Sequence, residues 1–290
     1  MHSEDWSSRS AALRPEILPP GTPDPTPHYE GNRQSQGYQQ SYGPPPAAPP
    51  ARQRGRWAFA PATYALLAIN LLVFVPMAIN PGINNLILAA GANNGDLEVN
   101  GGQWWRVLTS MFIHYGYIHF LSNMWCLWNL GLLGEPLLGS DGLLATYLLT
   151  GAAGGLLSTA IHPDVLSVGA SGAIFGLAGV LIVLLKSPLL PVPPQELNRL
   201  RRSVIWFAAL NFVIGGGVWL AHAQLHTQIQ IDNMAHLGGF LGGLALGVPL
   251  LPKIGSRPRQ FARRQWLAYG AGAFLLLLIA YGIYRNRVGP

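Results

Sequence analysis

The chain has 290 residues, of which 50% are hydrophobic and 10% charged, with a mean hydropathy of +0.27. Soluble domains carry about 25% charged residues, so this composition excludes an ordinary soluble enzyme and indicates a membrane protein. The net charge of +6 would suit a nucleic-acid binder, but the placement of the basic residues, given below, removes that reading. The single cysteine, Cys126, excludes an intrachain disulfide and a cysteine-based metal site.

Residues 1–56 hold 11 of the 24 prolines and read as a Pro/Gln/Tyr/Gly mixture. Such a stretch cannot bury enough apolar surface to offset its ordering entropy, so a disordered tail is expected. Pro44-Pro45-Pro46 reads as part of a linker, with a docking motif as the alternative. Residues 1–20 lack the apolar core of a cleavable signal peptide. Arg52, Arg54 and Arg56 end the tail, directly before the first apolar run.

Seven candidate spans follow, at 57–77, 118–133, 143–161, 170–187, 204–221, 234–251 and 266–284. Each is near the ~17–25 residues needed to cross the hydrocarbon core. The second and fourth are short or rich in small and polar residues, which suits helices buried inside a bundle. The expected fold is therefore an all-α membrane bundle. With the N-terminus inside, all 18 lysines and arginines except Arg106, Arg285 and Arg287 fall on the inner side. This asymmetry predicts N-in, C-out topology and accounts for the basic pI as an orientation signal, with no nucleic-acid partner required. The first outer loop, 80–106, is long and apolar, and its Trp104-Trp105-Arg106 suits the headgroup zone.

Polar residues inside spans carry the functional signal, because such groups are costly in lipid and face a bundle interior or a wet cavity. Under this topology His114, His119, His162, His222, His226 and His236 all lie toward the outer side, with Asn123, Ser171 and Asp232 near them. A polar, water-accessible pocket in the outer half is expected.

Three patterns converge there. Gly169-Ala170-Ser171-Gly172 opens the fourth span and puts a serine at a helix N-terminus, where unpaired N–H groups favour an oxyanion. The plainer alternative is a serine N-cap followed by a Gly172-xxx-Gly176 packing face. Ala235-His236-xx-Gly239-xxx-Gly243 opens the sixth span, where the glycines admit a close neighbour. If that neighbour is the fourth span, His236 lies at the depth of Ser171 and can act as its base; otherwise it is an interhelical hydrogen-bonding histidine. His119 and Asn123 share one helical face and can aim two donors at one point, as an oxyanion hole requires, or simply make a polar interhelical contact. No acidic third member is evident, since Asp232 is four residues before His236 and Asp164 is in a loop. A Ser–His dyad is the economical reading.

Taken together, the sequence resembles the rhomboid family of intramembrane serine proteases. The match rests on Trp105-Arg106, His114, His119-xxx-Asn123, Glu135 after Leu133-Gly134, Gly169-Ala170-Ser171-Gly172 and Ala235-His236-xx-Gly239-xxx-Gly243, in family order across 57–252. The resemblance implies a six-helix protease core over 57–252. A basic loop and a seventh C-terminal transmembrane helix, 253–290, lie outside it. It also implies Ser171 as nucleophile, His236 as general base, and His119, Asn123 and the Ser171 N–H as oxyanion hole. Trp105-Arg106 would belong to a membrane-embedded first loop, and Glu135 would tie the inner end of the second span. Some family members have a tyrosine stacked on the histidine where this chain has Phe175; a phenyl ring can stack but lacks the hydroxyl. The implied activity is cleavage of transmembrane-segment substrates near the outer membrane face, with no cofactor and no metal; the extra seventh span and the Gly/Ala/Pro content suit a bacterial plasma membrane, with an organelle as the alternative. The competing readings are an inactive relative that binds membrane clients, and a metal site or transporter built on histidines such as His222-xxx-His226.

Overall fold

The computed structural model describes residues 59–225, 231–251 and 258–289. The expected tail, 1–56, lies outside the described residues, as does the start of the basic loop, 253–257; the rest of that loop, from Pro258, is the first part of a helix. The described residues form an all-helical bundle without named strands, and each of the seven apolar stretches is helical.

Helix α1 (Pro61–Ile79) starts on a proline, whose missing N–H costs nothing in a first turn. It ends at Asn80, whose side chain accepts from the Gly82 and Ile83 N–H groups and so starts α2 (Pro81–Gly91). The stretch 80–106 was expected to be a loop. Instead it folds into α2, α3 (Gly95–Val99) and the start of α4 (Arg106–Thr109), which runs into a 3-10 turn at Ser110–Phe112. The reason is local: Asn80 and Asn94 each cap a helix N-terminus with their side-chain oxygens.

The remaining helices are α5 (Tyr117–Leu138), α6 (Ser140–Ile161), α7 (Ser171–Leu184), α8 (Pro194–Leu225), α9 (Asn233–Leu250) and α10 (Pro258–Val288). Three helices, Pro61–Ile79, Ser140–Ile161 and Arg259–Val288, are long and apolar enough to cross a membrane by length and composition. At 14 residues, α7 is shorter than the expected span 170–187, and at ~1.5 Å per residue it falls short of the ~30 Å hydrocarbon core. It can be short because it meets protein on all sides: every residue from Gly172 to Leu181 is buried.

Glycine sets how closely α9 approaches α7. A Cβ on Gly239 would overlap the Gly172 carbonyl oxygen, and one on Gly243 would overlap that of Gly176. The two small-residue rows therefore lie in register, one turn against one turn. By contrast, α10 exposes Phe274, Leu275, Leu277 and Leu278, a surface suited only to lipid.

Candidate active site

Ser171 is the first residue of α7, but its hydroxyl does not cap that helix. The Oγ instead lies 2.8 Å from His236 Nε2, joining the heads of α7 and α9. The approach to Ser171 is fixed by backbone bonds. Gly169 has φ +127°, a left-handed conformation, and a Cβ there would lie 2.8 Å from His119 Nε2. Its N–H donates to the Ser110 carbonyl at 2.9 Å, and the next N–H, of Ala170, donates to His114 Nε2 at 3.3 Å. His114 must therefore be neutral at Nε2. Burial first, and then the nearby His119, hold its pKa down at about 3.

His236 is buried, and the Phe175 ring stacks on it with centroids 4.5 Å apart and planes 20° from parallel. His236 Nδ1 has no hydrogen-bond partner among the described residues. Asp232, four residues earlier, does not reach it. Its Oδ1 accepts from the Ala235 N–H at 2.9 Å, capping α9, and its Oδ2 accepts from Ser158 Oγ at 2.6 Å. The sequence offered Asp232 only as a distant acid. Its capping role follows from its place three residues before Ala235, but the Ser158 contact joins distant parts of the chain and left no sequence signal.

His119 and Asn123 occupy one face of α5 and point toward the same backbone. A Cβ on Gly169 would lie 3.5 Å from Asn123 Nδ2, and that buried amide has no partner among the described residues. An unspent donor beside a serine nucleophile is suited to an oxyanion. One enclosed space beside the site, lined in part by Ser110, Gly169, Gly172 and Ala235, has a volume of about 20 Å³, enough for one water. The larger polar pocket expected from the sequence is not what this space provides.

The other expected residues support the frame. Buried Arg106 donates to the Ala92 carbonyl at 2.9 Å, to that of Ala89 at 2.5 Å and to Gln103 Oε1 at 2.7 Å, clasping the end of α2. Trp105 Nε1 donates to the Ala90 carbonyl at 3.1 Å. At the opposite end of the bundle, Glu135 accepts from the Ala62 and Thr63 N–H groups and from the Thr63 and Ser140 hydroxyls, at 2.7–2.9 Å. It ties α5 to the first turn of α1. No group of three metal-ligating side chains occurs among the described residues; His226 and the His222 side chain lie outside them.

A hydroxyl on an imidazole nitrogen, with spare amide and imidazole donors beside it, is the arrangement needed for acyl transfer. The family model described as Rhomboid domain matches residues 101–253. Rhomboid protease GluP of Bacillus subtilis (strain 168) is 32% identical over 235 residues, covering 80% of this chain and 42% of that protein. RHOMBOID-like protein 7 of Arabidopsis thaliana is 38% identical over 153 residues, covering 53% of this chain and 45% of that protein. Putative rhomboid protease YdcA of Bacillus subtilis is 33% identical over 154 residues, covering 52% and 69%. The chain thus spans less than half the length of the first two relatives.

Proposed function

This chain belongs to the rhomboid family of integral membrane proteins, and from that premise we propose that it is an intramembrane serine endopeptidase working through a Ser171–His236 dyad. The observation that carries the reading is the 2.8 Å contact between Ser171 Oγ and His236 Nε2, made across two helices that only glycine allows to approach so closely.

In the reaction, His236 Nε2 takes the Ser171 proton as Oγ attacks a peptide carbonyl carbon of the substrate. The resulting oxyanion is held by donors from His119 and Asn123 and by the Ser171 N–H. His236 then gives its proton to the leaving amine as the C–N bond breaks. Water, deprotonated by the same imidazole, attacks the acyl-enzyme ester and returns Ser171 to its free form. Phe175 holds the imidazole plane by stacking.

The substrate is a transmembrane segment that unwinds near the outer face, since a helical backbone in lipid keeps its carbonyls hydrogen-bonded. Helix-weakening and small residues mark the cleaved region. The orientation is N-in and C-out, as the basic residues direct.

A fluorophosphonate probe applied to the full chain in detergent tests this reading. Labelling should occur in the wild type and vanish in both Ser171→Ala and His236→Ala, together with cleavage of a transmembrane substrate. Cleavage that survives Ser171→Ala overturns the reading, and a wild type that binds such substrates without labelling or cutting them is a client-binding relative instead.

A further inference from the structure

Helix α10 is fastened to α6, and to the end of α5, by polar bonds at two levels. At the inner level, Tyr269 Oη donates to the Gly142 carbonyl at 3.1 Å, and Gln265 Nε2 donates to the Leu138 carbonyl at 2.8 Å. At the outer level, Arg287 donates to the Thr159 carbonyl at 3.3 Å and pairs with Asp96 of α3 at 3.7 Å. Between these levels the helices stand apart. Ala273 and Ala280 on α10 face Ala152 on α6 across a cleft of about 590 Å³. Its walls include Leu149, Leu156, Leu277 and Tyr281, and α4 adds Val107 and Leu108.

Water is a poor occupant for such a cleft, because its walls offer few groups to hydrogen-bond it. An empty cleft would forfeit dispersion contacts along its whole length. Along a helix long and apolar enough to cross a membrane, the surrounding solvent is hydrocarbon.

The charge at the outer end selects among lipids. The row Ala273, Leu277, Tyr281 repeats every four residues along α10, and its next member is Arg285. Arg285 is exposed and makes no ion pair among the described residues, whereas its neighbour Arg287 is engaged. Tyr281, Tyr284 and Trp104 give this end the aromatic lining typical of headgroup depth. We propose that the α6–α10 cleft is a binding site for an anionic phospholipid of the leaflet on the Ser171 side. One acyl chain lies between the helices, and the headgroup phosphate sits at Arg285. The site does not depend on the catalytic reading.

Native mass spectrometry of the full chain, released from detergent with equal amounts of a phosphatidylglycerol and a phosphatidylcholine of identical chains, tests this. One retained lipid is expected, with phosphatidylglycerol favoured about fivefold, the effect of one basic residue on an anionic lipid. Arg285→Gln should keep the adduct but bring the preference to about one. Ala280→Phe, which fills the cleft, should remove the adduct, with Ala273→Leu as the milder variant should the first fail to fold. An adduct that persists in both filling variants is surface lipid only and overturns the proposal, as does a wild type without preference. Loss of transmembrane-substrate cleavage in Ala273→Leu with the adduct retained would mean that the cleft holds a peptide segment, and overturns it too.

Discussion

Asp232 separates two chemistries that look alike in sequence. An acid near a base suggests a triad, yet its carboxylate serves the head of α9 and the Ser158 hydroxyl, and His236 Nδ1 is left without a partner among the described residues. A cap needs a side-chain oxygen and no charge. Asp232→Asn should therefore keep cleavage within a few-fold of wild type. Asp232→Ala should lower thermal stability by ~1 kcal/mol through the lost cap. If Asp232 were instead the orienting acid of a triad, the asparagine variant would lose about 10⁴ in kcat, so single-turnover rates of the two variants decide the matter. Gly169 is a second such point. Its φ of +127° and the closeness of His119 leave no room for a side chain. Gly169→Ala should displace the strand of backbone leading to Ser171 and lower kcat by about 100-fold, as small misplacements of reacting groups do, while the helical circular dichroism stays unchanged. The identities of Ser171, His236, His119 and Asn123 were legible in the sequence because each stands out as polar within an apolar run. The Ser158 and His114 contacts were not, because they depend on which helix ends meet.

At the level of elements, the α7–α9 contact sets the Ser171–His236 distance. The glycine rows were readable as a packing face, and their spacing of four predicts one helix row against another. Gly239 and Gly243 against the carbonyls of Gly172 and Gly176 fulfil that pattern. Since the obstructing atoms are backbone, they cannot swing aside. Gly239→Leu is expected to force the helices apart, destabilise the fold by about 3 kcal/mol or more, and abolish fluorophosphonate labelling. Unchanged melting and labelling would show that the contact is looser than drawn. The segment 80–106 was misread for an instructive reason. Its helices are short, started by Asn caps and held by Arg106 bonds to the Ala89 and Ala92 carbonyls, so no sustained apolar period marks them. The short α7 was likewise obscured, because apolar composition continues past its last turn.

Across the whole molecule, the cap on the Ser171 side is assembled from three separate segments, and a buried carboxyl lies at their junction. Glu98 of α3 is fully buried and meets the Thr159 hydroxyl of α6 at 2.5 Å. That same hydroxyl faces the Gly155 carbonyl at 2.9 Å, and Asn93 donates to it at 3.3 Å while its own backbone pairs with Ser167, four residues before Ser171. One hydroxyl proton cannot serve both Glu98 and Gly155, and a protonated Glu98 donating to Thr159 resolves the conflict. Burial pushes the Glu98 pKa up to about 7 from an ordinary 4.5, against the opposing pull of the Thr159 and Asn94 hydrogen bonds and the charge on Arg106. A raised acid pKa favours the folded state only while the proton stays on. Its stabilising effect is complete below about 4.5, where both states are protonated, and it declines as pH rises toward 7. Above 7 both states are ionised and it is gone. The loss is on the order of 3 kcal/mol. Glu98→Gln mimics the protonated carboxyl, since its amide can donate to Thr159 and its oxygen can accept from the Asn94 N–H. Thermal melts in detergent at pH 5 and pH 8 should therefore show the wild type losing stability on going to the higher pH relative to the glutamine variant, a comparison that cancels every other titrating group. Parallel melting curves for the two proteins across this range would mean that Glu98 ionises freely within the fold, and that the cap is held by its backbone bonds alone.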